Sequence, residues 1–368
     1  MYKEDKTLRR PVQIMCLLAA SALLLGVLFA AGCASPSGGA TEEVNWKWNS
    51  LQPKDVNWIA RVEEGAFQEV SARTDGKFTI DFYGSSALGV DPPSLIQAVG
   101  DGLLDCSEMF GVHVLGEWPV SSLLDYPGVL PWDPEMKQEI AAAIFPILEE
   151  SLAERNIVLW FADFVEPRNV YTVDRADSLS DFKGMKIRAA GTSDVVQAEG
   201  IGATAVPTPY SEVYTALERG ILDGHITTND ATWTLGFHEL EGYMYETHLG
   251  GVHTYGIINK DRWDALPSDY QQVLRDVAKE YIAPTWLDEI QGAIDHGRDE
   301  ILGSGVVHMN DENPDLVEEM RVATAANCEG PLLEMLAKAG PEGEEAMKIA
   351  REIVEDYGYT WRFPNVGK

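Results

Sequence analysis

The sequence predicts a two-lobed α/β fold with a cleft between the lobes. Three observations lead there. Strands alternate with helices from residue 44 onward, a helix–glycine–strand unit recurs 118 residues later, and a long helical stretch follows both copies. Some 330 residues follow the first 32, about the length of two domains.

The chain opens on a short basic head of Lys3, Lys6, Arg9 and Arg10, followed by a nearly unbroken apolar run from Val12 to Ala31. That run leaves through Ala30-Ala31-Gly32-Cys33 into the small, polar stretch Ala34-Ser35-Pro36-Ser37-Gly38-Gly39. Basic head, apolar run and small-residue exit describe a secretion signal over 1–32. A cysteine at this exit resembles a bacterial lipobox, in which Cys33 becomes the lipidated first residue of the mature chain. The alternative is an uncleaved anchor, because the run approaches spanning length. Either reading puts the body outside the cytoplasm, with 33–43 as a flexible tether. No second apolar run of spanning length follows, so the lipid anchor is the only expected membrane association.

The charge excludes one large class of partner. With 28 basic and 59 acidic side chains, the chain carries a formal charge of −31. The first 32 residues hold four basic and two acidic groups, which leaves −33 for the rest. Such a surface repels nucleic acid and anionic head groups. An anionic ligand therefore needs a local positive pocket inside a negative shell. Of the four cysteines, Cys16 lies in the signal and Cys33 at its exit. Cys106 and Cys328 lack any spacing motif and read as buried free thiols, with a disulfide as the alternative. His248 and His253 do not fall at metal-ligand spacing, so no metal or other cofactor is expected.

Along the body, Val44-Asn45-Trp46-Lys47-Trp48 alternates as a strand. Ile59, Val62, Ala66, Phe67 and Val70 recur at helical spacing and predict a helix over Val56–Thr74, closed by Gly76. Phe78–Phe82 is a second strand, and Pro93–Val99 a short helix stopped by Gly100 and Gly102. The echo follows: Ala98, Gly102, Leu104 and Asp105 recur as Ala216, Gly220, Leu222 and Asp223. Each copy is a helix, a glycine stop and a strand start, and each is preceded by a strand and a glycine turn, Phe78–Gly84 and Met185–Gly191. Two similar lobes place ligands at the carboxyl ends of their strands. Ser268–Leu302 reads as one long helix or two in tandem, kinked at Pro284, and Pro314–Tyr357 as helical with breaks at Gly330-Pro331 and Gly340-Pro341.

The chain has no Gly-x-Ser-x-Gly elbow, phosphate loop or His-Glu-x-x-His. A binding protein rather than an enzyme is expected. Basic residues are scarce, so their placement is informative. Arg188 ends the strand Met185–Arg188, just before a helix that begins near Thr192, and Arg168 follows the strand Ile157–Phe161. A guanidinium grips a carboxylate bidentately and stays charged, and a helix N-terminus adds amide dipoles. On pattern alone, each arginine also reads as half of an ordinary salt bridge.

Lys183-Gly184-Met185-Lys186-Ile187-Arg188, with Gly202 to Gly224, resembles the solute-binding subunits of tripartite ATP-independent periplasmic (TRAP) transporters. Tyr83 to Gly89, Ala98 to Asp105 and Ala265-Leu266-Pro267 extend the resemblance over most of 44–300. It implies a type II-like periplasmic-binding-protein fold with a long connecting helix. Lobe I then takes 44–165 plus about 255–300, and lobe II takes 166–254 plus about 301–368 with the C-terminal helices. It also implies capture of a small organic carboxylate and its delivery to the small and large TRAP membrane subunits. The family's carboxylate-gripping arginine falls on Arg188 and its second, less uniform arginine on Arg168. Where the family often continues Asp-Gly-Gln-Glu-Asn-Pro, this chain reads His225-Ile226-Thr227-Thr228, so Thr227 replaces the asparagine and Asn229 or Asp230 is a candidate substitute. Position further nominates Ser50, Glu108, Phe110, Phe164, Tyr210 and His253 as lining. The tryptophans near these loops point to a partly apolar ligand. The rival readings are a receptor for an ATP-driven importer or a sensor, and a secreted hydrolase with unpatterned acids.

Overall fold

The alternation at Val44 does make a strand, and the strand it makes is the centre of a parallel trio. We describe the chain from a computed structural model, which covers residues 43–54, 57–363 and 366–367. Cys16, Cys33, the signal expected over 1–32 and all but the last residue of the tether expected over 33–43 lie outside these residues.

The strands are β1 (Val44–Asn49), β2 (Phe78–Tyr83), β3 (Cys106–Phe110), β4 (Ile157–Phe164), β5 (Arg168–Thr172), β6 (Lys186–Ala189), β7 (Thr204–Pro207), β8 (Gly224–Thr227), β9 (Tyr243–Leu249), β10 (His253–Asn259) and β11 (Val307–His308). The principal helices are α1 (Trp58–Arg73), α2 (Leu95–Gly100), α3 (Pro134–Ala153), α4 (Thr192–Gly200), α5 (Tyr210–Glu218), α6 (Asn229–Thr234), α7 (Ser268–Val277), α8 (Ala283–Gly303) and α9 (Pro314–Asp356). One sheet runs β2-β1-β3-β10-β4 and the other β7-β6-β8-β5-β9-β11. Each opens with three parallel strands and continues with two antiparallel ones.

The 118-residue echo is visible in the backbone. Cys106 and Gly224 start β3 and β8 at that offset. Gly102 and Gly220 both turn through positive φ, 75° and 64°, where a Cβ is costly. The amides of Leu104 and Leu222 then return to the carbonyls of Ala98 and Ala216, at 3.1 and 3.2 Å. The strands ahead of the two copies, Phe78–Gly84 and Met185–Gly191, do not correspond as the echo suggests. Phe78–Tyr83 is an edge strand and corresponds to β7, while β6 corresponds to the central β1. The offset differs between these strands, and so no single shift of the sequence aligns both.

The chain crosses between the sheets at 165–167, from β4 to β5, and again at 250–252, from β9 to β10. The crossings are tied by one backbone bond, from the Val165 amide to the Val252 carbonyl at 2.9 Å. The predicted kink at Pro284 is a π-helical turn over Ala278–Ile282, just ahead of the proline. Wider winding absorbs the hydrogen bond that proline cannot donate. Trp286, Ile290 and Ile294 of α8 pack in the first core, and Ile301 packs against Tyr171 and Met244 of the second sheet.

Helix α9 breaks at Gly340 (φ 62°, ψ −149°), as expected, but runs unbroken through Pro331. The segment from 301 onward is shared between the cores rather than held by one. Leu316, Val317 and Met320 pack with Val170 and Ile187, whereas Cys328, Leu332 and Met347 pack with Ile140 and Leu148. Cys106 and Cys328 are both free and buried. Trp46, Trp48, Trp58, Trp160, Trp263 and Trp286 are buried together in one core cluster. The inference from tryptophan to an apolar ligand therefore loses its basis. No described helix is long and apolar enough to cross a membrane.

Candidate functional site

Arg188 sits at the third position of β6, in register with His225 of β8. It is 2 % exposed. Its Nε donates to the Thr208 carbonyl at 3.0 Å and its Nη1 to the Ile226 carbonyl at 3.3 Å. The guanidinium lies 4.2 Å from the centre of the Tyr210 ring. Two of its five donors are thus spent on carbonyls, and among the described residues no carboxylate pairs with it. Tyr210 opens α5, and its hydroxyl lies 2.6 Å from Oγ1 of the buried Thr227. The Thr227 hydroxyl therefore holds the ring that faces Arg188.

Arg168 is different. It begins β5, and its Nη1 donates to Oδ2 of Asp194 at 3.2 Å, with Nε 3.2 Å from Oδ1. Asp194 is 1 % exposed and also accepts the Ala190 amide at 2.8 Å. Burial works against the Arg168 charge, but Asp194, Tyr210 and Asp125 outweigh it and raise its pKa. The second arginine is already neutralised from within, and Asp194 is the residue that sequence reasoning missed.

In the first sheet, Glu108 is fully buried in β3. It accepts Oγ of Ser50 at 3.1 Å, the Leu51 amide at 2.9 Å and Nε2 of Gln52 at 3.2 Å. Burial raises its pKa to about 7, against the pull of these bonds. Glu63 lies close by, desolvated and facing Glu108, and its pKa is raised as well. Ser50 and Glu108 thus shape the loop after β1. Phe110 ends β3, half-buried against the His113 ring at 5.8 Å.

At the crossings, Oδ1 of Asp125 takes both the His253 amide, at 2.9 Å, and its Nδ1. Phe164 meets Trp132 edge-on at 5.9 Å, and its carbonyl accepts Nε1 of Trp286 at 2.6 Å. Asn229 has no spare polar atom. Its Oδ1 accepts from Asn169 and the Tyr171 hydroxyl, at 2.7 and 2.5 Å, while its Nδ2 donates to Glu246 and the Ile294 carbonyl. It fastens α8 to the second sheet and has no group left to stand in for the family's asparagine.

One arrangement imitates catalytic geometry. His225 Nδ1 is 2.5 Å from Oε1 of Glu241, and its Nε2 is 3.1 Å from Oγ1 of Thr232. His225 and Thr232 are sealed, however, and the Thr232 hydroxyl donates to the Thr228 carbonyl at 2.9 Å. Burial and Arg188 hold the imidazole neutral at physiological pH. No nucleophile reaches solvent there. Among the described residues no group of three or more His, Cys, Asp or Glu stands ready to hold a metal ion.

Comparison with known proteins bears on the fold and the family. Residues 61–322 match the family described as bacterial extracellular solute-binding protein, family 7. The 2,3-diketo-L-gulonate-binding periplasmic protein YiaO of Escherichia coli is 25 % identical over 334 residues, which are 89 % of this chain and 97 % of YiaO. The fold superposes on DctP7, an extracytoplasmic solute receptor of Bordetella pertussis solved with pyroglutamic acid, with a TM-score of 0.74 and 22 % identity over 84 % of this chain and 99 % of DctP7. A TRAP periplasmic solute-binding protein of Chromohalobacter salexigens with bound D-glucuronate gives 0.73 and 21 % over 84 % and 99 %. A family match across most of the body, on a fold of two like-wired sheets joined by paired crossings, means that this chain belongs to the family 7 extracellular solute-binding proteins, the solute receptors of TRAP transporters.

Proposed function

We propose that the chain is an extracytoplasmic receptor, anchored by lipid at Cys33, that captures a small organic acid in a cleft between its lobes and hands it to the small and large TRAP membrane subunits. The observation that carries this reading is Arg188. In a chain of charge −31, a buried guanidinium lies at the end of a strand with only carbonyls and a ring beside it. An unpaired buried charge is costly, and a solute carboxylate supplies the missing partner. Relatives that bind 2,3-diketo-L-gulonate, pyroglutamic acid and D-glucuronate support an acidic ligand. The lobes assigned in sequence fit a trap that bends at 165–167 and 250–252, and contacts from both lobes then favour the closed state. In this reading Arg168, held by Asp194, stiffens the arginine side, and Ser50, Glu108, Phe110, Phe164, Tyr210, Thr227 and His253 shape the cleft or support its walls.

The test is a thermal-shift screen of organic acids on the chain from residue 43, followed by calorimetry on Arg188→Ala. Removing one partner of a buried charge pair costs about 2–5 kcal/mol, so the best acid loses roughly 30-fold or more in affinity. Unchanged affinity in R188A refutes the anchor. A ligand chemically altered on incubation refutes a receptor and favours the hydrolase.

A further inference from the structure

A second cation stands unpaired where the chain crosses between the sheets. Lys137 lies in the first turns of α3, on the same stripe as the buried Ile140, Ala141, Ile144 and Leu148. It is 1 % exposed, and its Nζ has no hydrogen-bond partner. The ammonium lies 5.6 Å from the ring centres of both Trp132 and Phe164. It also presses on the return crossing, where a Cβ on Gly251 would come within 2.9 Å of Nζ.

Burial and the helix end oppose a bare ammonium at this place, while the two ring faces and Asp125 favour it. It is desolvated, and it sits at the positive end of a 20-residue helix. Burial lowers its pKa to about 8, partly offset by Asp125, so the group remains protonated at neutral pH. Asp125 does not neutralise it. Its Oδ1 is taken up by His253, and its Oδ2 is buried without a partner, as is Nε2 of His253. Buried polar groups are normally satisfied, so an ammonium, a carboxylate oxygen and an imidazole nitrogen left open at one crossing mark the seat of a polar molecule. Asp125 also acts on the charge of Arg168, as does Tyr210, whose ring faces Arg188. Ser193 Oγ donates to the Asp125 carbonyl at 3.0 Å and ties this row to the second lobe.

We propose that Lys137 is a second anchor of the same site: its Nζ receives a second oxygen acceptor on the acid whose carboxylate Arg188 holds. The ligand is then a short acid with an acceptor at each end, either a second carboxylate or a keto oxygen. This inference rests on the reading of Arg188 given above.

The experiment is calorimetry with matched probes: butyrate, which has no second acceptor, against succinate and 4-oxopentanoate, which supply a carboxylate and a keto oxygen toward the far end. The wild type should prefer at least one of the latter two by about tenfold or more. Lys137→Met should abolish that preference and change butyrate affinity by no more than about twofold, and Lys137→Gln, which retains a donor, should restore part of the preference. An unchanged preference in K137M, or an equal loss for all three acids, overturns the proposal while leaving the role of Arg188 intact. A wild type that binds no organic acid sinks the reading of Arg188 and this inference with it. Should both variants fail to fold, a crystal structure of the wild type with its preferred acid decides. An acid oxygen about 3 Å from Nζ supports the assignment, and an Nζ turned to Asp125 with no ligand oxygen on it overturns it.

Discussion

Asp194→Asn isolates the electrostatics of the arginine side. The substitution keeps the shape of Asp194 but removes the charge facing Arg168. Both partners are almost fully buried, and the two contacts between them are 3.2 Å long. Breaking a buried pair from one side costs about 3–5 kcal/mol, because the other charge stays buried without compensation. The Ala190 amide keeps an acceptor in the Asn side-chain oxygen, so that bond adds little to the loss. The variant should therefore lose about 3–5 kcal/mol in urea unfolding at neutral pH. The double variant Asp194→Asn/Arg168→Met removes both charges and should recover most of that loss, since an apolar replacement for a buried pair is often neutral. The single variant should also gain more from a saturating acid than the wild type does, because a solute carboxylate can serve the orphaned guanidinium. A loss below about 1 kcal/mol in the single variant, or a double variant no better than the single, refutes the argument that Asp194 neutralises Arg168.

Three further outcomes follow from other parts of the molecule. Burial raises the folded pKa of Glu108 from 4.5 to about 7, so the folded state holds a proton that the unfolded chain releases. Its contribution is complete below the unfolded pKa and is lost as pH rises through about 7, of order 3 kcal/mol in all, and Glu108→Gln should flatten stability between pH 5 and 8. A curve of the same slope in E108Q would show that Glu63, which shifts in the same direction, is the group that titrates. Gly297→Ala places a Cβ 2.8 Å from the Asn229 carbonyl carbon and 2.9 Å from the Asp230 amide, so α8 must lift from α6 and the melting temperature should fall by the equivalent of about 1–3 kcal/mol. Trp286→Phe leaves the Phe164 carbonyl without its 2.6 Å donor and should cost about 1–3 kcal/mol, and a melting temperature equal to the wild type's would mean that α8 is not fastened to the crossing by this bond.

Much of the architecture was legible because its signals are local. Gly102 and Gly220 announce themselves as helix stops, and the backbone turns through positive φ at both. Hydrophobic spacing placed α1 and α7 with α8, and the proline at 284 marked the π turn within a few residues. The site was legible only in part, because its character depends on pairings between residues distant in sequence. Nothing near Arg168 says that Asp194, 26 residues on, will neutralise it, while Arg188 stays unpaired. Asn229 looks available beside Thr227 and Thr228, yet Glu246 and Ile294 occupy its amide from two other elements. Lys137 did leave a trace, a lysine on an apolar helical stripe, but a snorkelling side chain produces the same pattern.

The two crossings have a mechanical consequence. Each is three residues long, the Val165 amide bonds the Val252 carbonyl between them, and in the proposed trap they are the pivot. Rotation about a pivot moves atoms in proportion to their distance from it. In that trap Arg168 and His253 border the crossings and travel little, so their bonds to Asp194 and Asp125 are expected to persist as it opens. Arg188 stands two strands away from β5, roughly 10 Å across the sheet, and sweeps a longer arc. A solute gripped there, as proposed, would act on a lever, and a small turn at the three-residue joints would become a wide gape at the rim.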